Sequence, residues 1–484
     1  MTLAKRTFTS GSWKIGSNAI ALAISFVRSI ILARLLPVDI FGVFAFAGSI
    51  TKLSVILADF GMAGALIHRA PETEDLDQAA AVQFTFRFLF TLVWAGLLIL
   101  GTLVFTEPNS LLRTALFCLI IVGLLTQLKS TPSLILIRKV QQRRQAVIEI
   151  LVTLISTPLM IWLAWQGVTL WVLLTGEIVG AGVSLLMYYG WRPVWRPRFS
   201  FDKRIIRYFF DFGKRNVLNS ILNKALDLID DIWVGFFLGQ TATGFYNKAY
   251  SFAVYPRRIF ANPINLVIGG AYAELKGKRD RLSELFSLVN TLLIRSSFFL
   301  GGFLVLIAPE FIFVLLGDKW LPMLTTFRLM LIFTLFDPLK STISSVISLA
   351  GGQPQLVVKA RFIQLTIMIV GIFTLGPLLG INGVAIAVDL MLVVGIVILF
   401  LQARPFVDYS IRELFAIPLF GLILGLSAVL TWGALFDLAS FSPWELLIIK
   451  SLLFSSIYLT TLLLFEFQKI KDLFAYLQVI IRNR

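Results

Sequence analysis

One segment of the chain carries polar residues at helical spacing inside an otherwise apolar sequence. The polar positions recur every three or four residues: Asn216, Asn219, Ser220, Asn223, Lys224, Asp227, Asp230 and Asp231. Because successive helical residues are rotated by about 100°, these positions fall within one face roughly 140° wide. A charged face of this length is not expected to contact lipid. The pattern therefore predicts a helix that lines a hydrated path or a buried polar seam.

Apolar stretches recur along the chain, and each is long enough to cross about 30 Å of hydrocarbon. We count about fourteen from hydropathy and periodicity, at 12–33, 40–67, 80–105, 111–136, 146–165, 169–190, 210–238, 243–270, 285–308, 321–350, 356–376, 381–401, 413–435 and 444–466. Mean hydropathy is +0.87, and 58% of residues are hydrophobic against 14% charged. This composition predicts an all-α polytopic membrane protein.

The net charge of +16 does not indicate a nucleic-acid partner, because the basic residues alternate between loops. Every second loop is basic, with 25 lysines and arginines in total, whereas the intervening loops hold only Arg34, Arg113 and Lys319. By the positive-inside rule, this asymmetry places both termini in the cytoplasm and makes the helix count even.

The chain also repeats at an offset of 202 residues, so that 35–44 lies over 237–246. The polar face of the seventh predicted helix has a counterpart in the first, formed by Lys14, Ser17, Asn18, Ser25 and Arg28. An offset of six helices keeps both copies in the same orientation. It predicts two six-helix bundles related by a pseudo-twofold axis along the membrane normal, plus two C-terminal helices.

These features divide the chain into an N-terminal bundle at 1–191, a basic cytoplasmic linker at 192–209 and a C-terminal bundle at 210–402. Helices thirteen and fourteen follow at 403–466, and an amphipathic tail occupies 467–484. The tail is predicted either as an interfacial helix on the cytoplasmic leaflet or as an exposed extension of helix fourteen.

Charged residues within the predicted spans are the main functional signal, because each costs about 2.5–3.5 kcal/mol at mid-membrane unless hydrated or paired. The candidate headgroup-binding cations are Arg28, Arg87, Lys224, Lys248, Arg258 and Arg295. The candidate gating or ion-coupling acids are Asp59, Asp227, Asp230, Asp231 and Asp337. The candidate polar lining is Asn18, Asn216, Asn219, Asn223, Ser251, Tyr255 and Asn262. Cations outnumber acids, so we expect an anionic cargo.

Enzymatic chemistry has little support. His68 is the only histidine and lies at a membrane edge, and the chain has no P-loop. Asp227, Asp230 and Asp231 resemble an acidic cluster that holds magnesium pyrophosphate, but no second cluster accompanies them. The sequence predicts a protein that is not an enzyme, with no cofactor and no metal site. A coupling H⁺ or Na⁺ is left open.

Several segments resemble the Wzx-like polysaccharide and lipopolysaccharide flippases of the multidrug/oligosaccharidyl-lipid/polysaccharide (MOP) superfamily. They occur in the same order, at 28–64, 195–201, 230–239, 244–249 and 379–387. The resemblance implies two bundles in a V and an undecaprenyl-pyrophosphate-linked oligosaccharide as cargo. The cargo would move from the cytoplasmic to the outer leaflet of a bacterial inner membrane, by alternating access through a cationic central cavity. Membrane lipids and polysaccharide polymerase machinery are candidate partners. Where the family has one acid before Gly235, this chain has three.

Alternatives remain open at this stage. One is a cation-coupled multidrug exporter of the same superfamily; others are a membrane enzyme of glycan synthesis and a scaffold in a synthesis complex. The driving force is also open. Membrane potential alone could move the anionic headgroup outward, with the aspartates closing against Arg28. In the competing hypothesis the aspartates carry a proton or a sodium ion.

Overall fold

The computed structural model describes residues 3–68, 75–139, 141–437 and 440–482, and within them it contains helices and no strand. The side chains of 3–15, His68, Arg215, Asn216, Leu266, Val267 and 468–482 also lie outside the described set. The α-helices are α1 Leu3–Leu35, α2 Val38–Ser54, α3 Ile56–Asp59, α4 Met62–His68, α5 Leu76–Phe105, α6 Leu111–Leu128, α7 Ser130–Arg138, α8 Gln142–Trp165, α9 Leu170–Gly190, α10 Lys203–Phe237, α11 Gln240–Pro256, α12 Asn262–Glu274, α13 Arg279–Phe311, α14 Leu324–Ser345, α15 Pro354–Leu379, α16 Ile381–Ala403, α17 Ile411–Leu435 and α18 Pro443–Arg482.

Most predicted spans coincide with one helix, but several are interrupted. The predicted span 40–67 is divided among α2, α3 and α4, and Phe60 between the last two has a left-handed φ of 42°. π-helical segments occupy Arg257–Ala261, Ile312–Leu316 and Val346–Ala350, and a 3₁₀ segment occupies Asp318–Met323. The first π segment lies between Pro256 and Pro263, where proline is expected to bend a helix.

The basic linker is shorter than the predicted 192–209, because α10 begins at Lys203 rather than at 210. Asp202 caps this helix, and its carboxylate accepts hydrogen bonds from the backbone N–H groups of Arg204 (2.9 Å) and Ile205 (3.3 Å). The first turns of α10 also bury Ile205 and Phe209. An N-cap followed by a buried apolar face is enough to start the helix within a basic stretch.

By length and composition, twelve helices in the described ranges can cross a membrane. The predicted seventh and eighth spans, α10 and α11 with α12, are not among them, because their polar faces lower the hydropathy. The all-α polytopic fold is therefore confirmed. The count of fourteen and the pseudo-twofold relation of whole bundles stay predictions.

The chain forms two compact units, 1–247 and 248–484. This division lies within α11 and differs from the predicted division at the linker. The reason is that α10 packs against α2, α4 and α5 and so belongs to the first unit. In the second unit α13, α14 and α16 surround a core that includes Phe286, Trp320 and Phe327.

In the first unit, α2 and α11 approach closely where both begin. A Cβ on Gly42 would lie 1.7 Å from the backbone oxygen of Gln240, and a Cβ on Gly244 would lie 2.2 Å from that of Val38. The 202-residue offset converts the first contact into the second. The repeat found in the sequence thus has a local twofold contact in the structure, and glycine is required on both sides of it.

We predict that Gly42→Ala and Gly244→Ala each lower the thermal unfolding midpoint of the detergent-purified protein. The added methyl group would displace backbone rather than a flexible side chain, at a cost of about 1–3 kcal/mol. Gly96→Ala in α5 is the matched control, since nothing lies within 4 Å of its Cβ position. Equal midpoints for Gly42→Ala and Gly96→Ala would contradict the close approach.

Candidate functional site

The polar face of α10 brings two buried carboxylates together with side chains of α2 and α11. Asp230 accepts a hydrogen bond from the Tyr246 hydroxyl at 2.6 Å. Asp231 accepts one from the Ser49 hydroxyl at 3.3 Å, and the Asn247 amide donates to both of its oxygens at 3.0 and 3.2 Å. Both aspartates are only 4% exposed. We call these five residues the acid cluster.

The donors of the acid cluster are neutral. Within the described residues, neither Asp230 nor Asp231 forms an ion pair with a lysine or an arginine. Lys52 of α2 attracts Asp231 electrostatically, but its side chain is exposed. Two adjacent carboxylates without a paired cation are costly to bury when both are ionised. The cluster therefore has the chemistry to hold a proton or a small cation.

The other residues on the polar face of α10 differ in how exposed their side chains are. Asn219, Ser220 and Asn223 are half-buried, whereas Lys224 and Asp227 are exposed. The side chain of Asn216 lies outside the described residues. On the opposite face, Leu222 and Trp233 are buried, but Leu218 is 54% exposed. The predicted polar face is thus exposed to solvent at Lys224 and Asp227 and buried at Asp230 and Asp231.

On α1, Asn18 and Arg28 are half-buried. The Arg28 guanidinium donates to the Thr157 hydroxyl of α8 at 3.4 Å. α1 and α8 pack along their lengths, so this contact lies within the first unit.

Arg87 and Asp59, predicted as a headgroup cation and a gating acid, pair with each other. Arg87 Nη1 lies 2.8 Å from Asp59 Oδ1, and Arg87 Nε donates to Gln127 Oε1 at 2.5 Å. Asp59 ends the short α3, and the break at Phe60 fixes its position. Arg87 is 9% exposed. Its charge is balanced inside the first unit, which does not favour direct contact with a headgroup.

In the second unit, Lys248 is also buried, with its ammonium 5.8 Å from the Phe252 ring centroid and 5.6 Å from that of Trp320. Arg258 is exposed and lies over the ring of Tyr255 at 5.6 Å. Of the predicted polar lining in this unit, Tyr255 is buried, Ser251 half-buried and Asn262 exposed.

Asp337 pairs with Arg257, a residue that the sequence did not single out. Arg257 Nη1 lies 2.5 Å from Asp337 Oδ2, across the π-helical segment and α14. The widened π turn presents Arg257 and Arg258 as neighbouring cations, of which the first is paired and the second exposed.

Arg295, predicted to contact the headgroup, forms a buried ion pair with Glu466. The two side chains form two hydrogen bonds, one of 2.7 Å from Arg295 Nε, and the guanidinium also donates to the Glu413 and Leu414 carbonyls. Glu466 has non-helical dihedrals, so α18 kinks there. This pair joins α13 to the last helix and favours a structural role for Arg295, while its contact with a headgroup stays a prediction.

Sequence reasoning missed Ser49, Tyr246, Asn247 and Arg257 as partners. A signal for two of them was present, because Ser49 falls on Ser251 in the repeat and Asn247 lies on a polar face of the eighth predicted span. Tyr246 and Arg257 gave no comparable periodic signal.

We predict that Glu466→Ala lowers the unfolding midpoint as strongly as Arg295→Ala does. Removing one partner leaves an unpaired buried charge, which costs about 3–5 kcal/mol. Arg295→Met combined with Glu466→Leu removes both charges and should restore most of the stability. If Glu466→Ala kept the wild-type unfolding midpoint and Arg295→Ala lost transport without losing stability, the predicted contact of Arg295 with the headgroup would be supported instead of the structural role.

Comparisons with known structures agree with this fold. The lipid II flippase MurJ in an inward closed conformation gives a TM-score of 0.73 at 13% identity, over 96% of this chain and 99% of that one. An inward-facing MATE family multidrug resistance transporter of the MOP superfamily gives 0.60 at 14% identity, over 82% and 97%. At these identities, the similarity establishes the fold.

Sequence relatives indicate the branch. The succinoglycan biosynthesis transport protein ExoT of Rhizobium meliloti is 26% identical over 66% of this chain, which spans 64% of the length of ExoT. The lipopolysaccharide biosynthesis protein WzxC of Escherichia coli is 22% identical over 85% of this chain and 84% of its own length. The predicted resemblance to Wzx-like proteins is confirmed. A sequence profile described as "Polysaccharide biosynthesis protein" matches residues 31–325, more than half of the 484 residues, and the chain belongs to that family.

Proposed function

We propose that this protein is a flippase that translocates an undecaprenyl-pyrophosphate-linked oligosaccharide from the cytoplasmic to the outer leaflet. The observation that carries the proposal is a family match over 31–325 in a chain that adopts the MurJ fold along 96% of its length. ExoT is named a transport protein and MurJ a lipid flippase. The protein is accordingly a transporter and not an enzyme.

The chain provides cations that remain accessible for an anionic headgroup. Within the first unit, Lys224 is exposed and Arg28 is half-buried, whereas Arg87 is buried and forms an ion pair with Asp59. Arginine binds phosphate oxygens through a planar fork, so Arg28 is the preferred headgroup contact. Arg258 is the exposed cation of the second unit. Alternating access through a cationic central cavity stays part of the proposal.

The acid cluster is proposed as the coupling site for H⁺ or Na⁺. Its carboxylates are buried, and the donors that reach them from the described residues are neutral, so binding a proton or a cation would change the local charge balance there. If the aspartates served only to form an ion pair with Arg28, they would not need to be surrounded by neutral hydrogen-bond donors. Asp227, exposed on the preceding turn of α10, lies outside the shell.

Membrane potential contributes to the same step. Moving one charge through 100 mV changes the free energy by about 2.3 kcal/mol, so an outward-moving headgroup with about two negative charges gains roughly 4–5 kcal/mol in an inside-negative cell. The loop charges support cytoplasmic termini and insertion in the bacterial inner membrane. Polymerase machinery is a proposed partner that acts after translocation.

A cation-coupled drug exporter shares the fold but has weaker support. The MATE match has a lower TM-score and coverage than the MurJ match, and the family profile is that of polysaccharide proteins. The excess of cations also disfavours a cationic drug.

The direct test of the proposed function is reconstitution in vesicles that carry a fluorescent undecaprenyl-pyrophosphate oligosaccharide. Wild type should move the lipid to the leaflet that a membrane-impermeant quencher reaches. Arg28→Ala should reduce the rate of this movement more than tenfold, which corresponds to an activation free energy higher by about 1.4 kcal/mol or more. Arg28→Lys should restore only part of it. Ethidium efflux without lipid movement would overturn the flippase in favour of the drug exporter.

A second experiment separates the two driving forces. With a membrane potential but no H⁺ or Na⁺ gradient, we expect only part of the net movement that the potential and the gradient drive together. Adding the correct gradient should stimulate wild type, and Asp231→Asn should abolish the stimulation because the amide keeps the size of the side chain but cannot bind a proton or balance a cation. Asp227→Asn, on the exposed turn, is the matched control and should retain it. Full movement on potential alone would remove the coupling role.

A further inference from the structure

The connection between α9 and α10, residues 191–202, is a segment without regular secondary structure that packs against α5. We call it the strap. Trp195 is buried among Ala80, Ala81 and Ile135. The backbone N–H of Ser200 donates to the buried Thr85 hydroxyl at 2.9 Å. A segment without regular structure is thus held to a spanning helix at defined points, and the side chains between them are presented in fixed positions.

The strap exposes two aromatic rings next to that helix. Phe199 lies 5.8 Å from Phe84 and 5.9 Å from Phe88, and Phe201 lies 6.2 Å from Phe86. Despite these contacts, Phe199 is 64% and Phe201 62% exposed. Exposed aromatic side chains at the end of an apolar helix are typical of the membrane–water interface.

The strap and the first turns of α10 are strongly basic, and we call their exposed cations the strap cations. The residues 191–207 contain six cations and one acid, and all six cations are exposed: Arg192, Arg196, Arg198, Lys203, Arg204 and Arg207. The acid, Asp202, is engaged in capping α10 and in a 3.1 Å hydrogen bond from Gln78. Arg204 lies 3.8 Å from this carboxylate, and its side chain is 93% exposed. The excess positive charge is therefore available to an external anion.

A cavity of about 220 Å³ opens beside the strap, between α5 and α6. Its apolar lining comprises Phe84, Phe88, Leu92, Leu124 and Leu128. Phe84 and Phe88 are also the rings that contact Phe199, so cavity and strap are continuous. The polar residues of the lining are Arg87, Thr91 and Gln127. They are already engaged, because Arg87 pairs with Asp59 and Gln127, and the Thr91 hydroxyl donates to the Arg87 carbonyl, which leaves the cavity suited to a hydrocarbon chain.

We propose that the strap and this cavity form a binding site for an anionic phospholipid, with its phosphate at the strap cations and one acyl chain in the cavity. Loop charge places the strap at the cytoplasmic face, where anionic lipids give a negative surface potential. Charge and apolar contact then act together, as reversible lipid binding requires. The proposal is independent of the transported substrate, and its test measures no transport.

The test is native mass spectrometry of the full-length protein in detergent with phosphatidylglycerol or phosphatidylcholine. Wild type should retain phosphatidylglycerol preferentially. Each basic residue near an anionic surface contributes a factor of about five, so the triple variant Arg196→Gln, Arg198→Gln, Arg204→Gln should lower the preference by up to about 100-fold. Salt at about 1 M, where the Debye length is about 3 Å, should also lower it.

The matched control removes three charges from another basic loop, by Lys276→Gln, Lys278→Gln and Arg281→Gln, which are also exposed. It should leave the preference unchanged. An equal loss in both triple variants would reduce the effect to net charge and overturn the site. No loss in the strap variant would overturn it as well. Displacement of the bound lipid by equimolar undecaprenyl phosphate would likewise overturn the assignment to phospholipid.

The acyl-chain part has its own comparison. Leu92→Trp should fill the cavity and reduce retention of phosphatidylglycerol, whereas Leu89→Trp, on the same helix but outside the lining, should not. Equal retention by the two variants would remove the cavity from the proposal. Gel filtration and helical circular dichroism establish that each compared variant is folded.

Discussion

A charged side chain inside a membrane must be paired or hydrated, and this constraint governs where the ions of this chain lie. Four acid–base pairs satisfy it in the described residues within the helices that cross or approach the membrane: Asp59 with Arg87, Asp337 with Arg257, Glu466 with Arg295, and Glu310 with Lys450. Three of these pairs have one member at a helix break, a π-helical turn or a kink, namely Asp59, Arg257 and Glu466. Helix irregularity and charge pairing are therefore linked, since a broken or kinked helix can direct a carboxylate at a partner that a straight one would miss.

The acid cluster differs from these four pairs in the charge of its donors. In those four pairs a carboxylate receives an arginine or a lysine, but Asp230 and Asp231 receive a hydroxyl, a second hydroxyl and an amide. A permanently paired acid cannot easily change its charge during a transport cycle. One held by neutral donors can exchange a proton or a cation while its geometry is retained, because the donors stay in place.

Much of the fold could be predicted from the sequence because hydropathy and helical periodicity are local. The polar face of α10, the all-α architecture and the 202-residue repeat were accessible in this way. Pairings such as Arg295 with Glu466 were not, because their residues are 171 positions apart and each appears in the sequence only as an isolated charge. The same holds for the start of α10, where an aspartate cap outweighs the basic character of the linker. The positions of charges in the sequence identified candidate residues. Which of the cations are exposed and which form buried ion pairs could be learned only from their partners in the structure.

The repeat also explains why the two halves need not share a function. At the 202-residue offset Asp230 corresponds to Arg28 and Asp231 to Ser29, so one copy has a cation where the other has an acid. The donors changed with the acids, since Tyr246 and Asn247 correspond to Phe44 and Ala45. The glycines at the close approach, Gly42 and Gly244, are present in both copies. The backbone contact is thus the same in both copies while the polar chemistry beside it differs, which agrees with the division of roles that we propose between the acid cluster and Arg28.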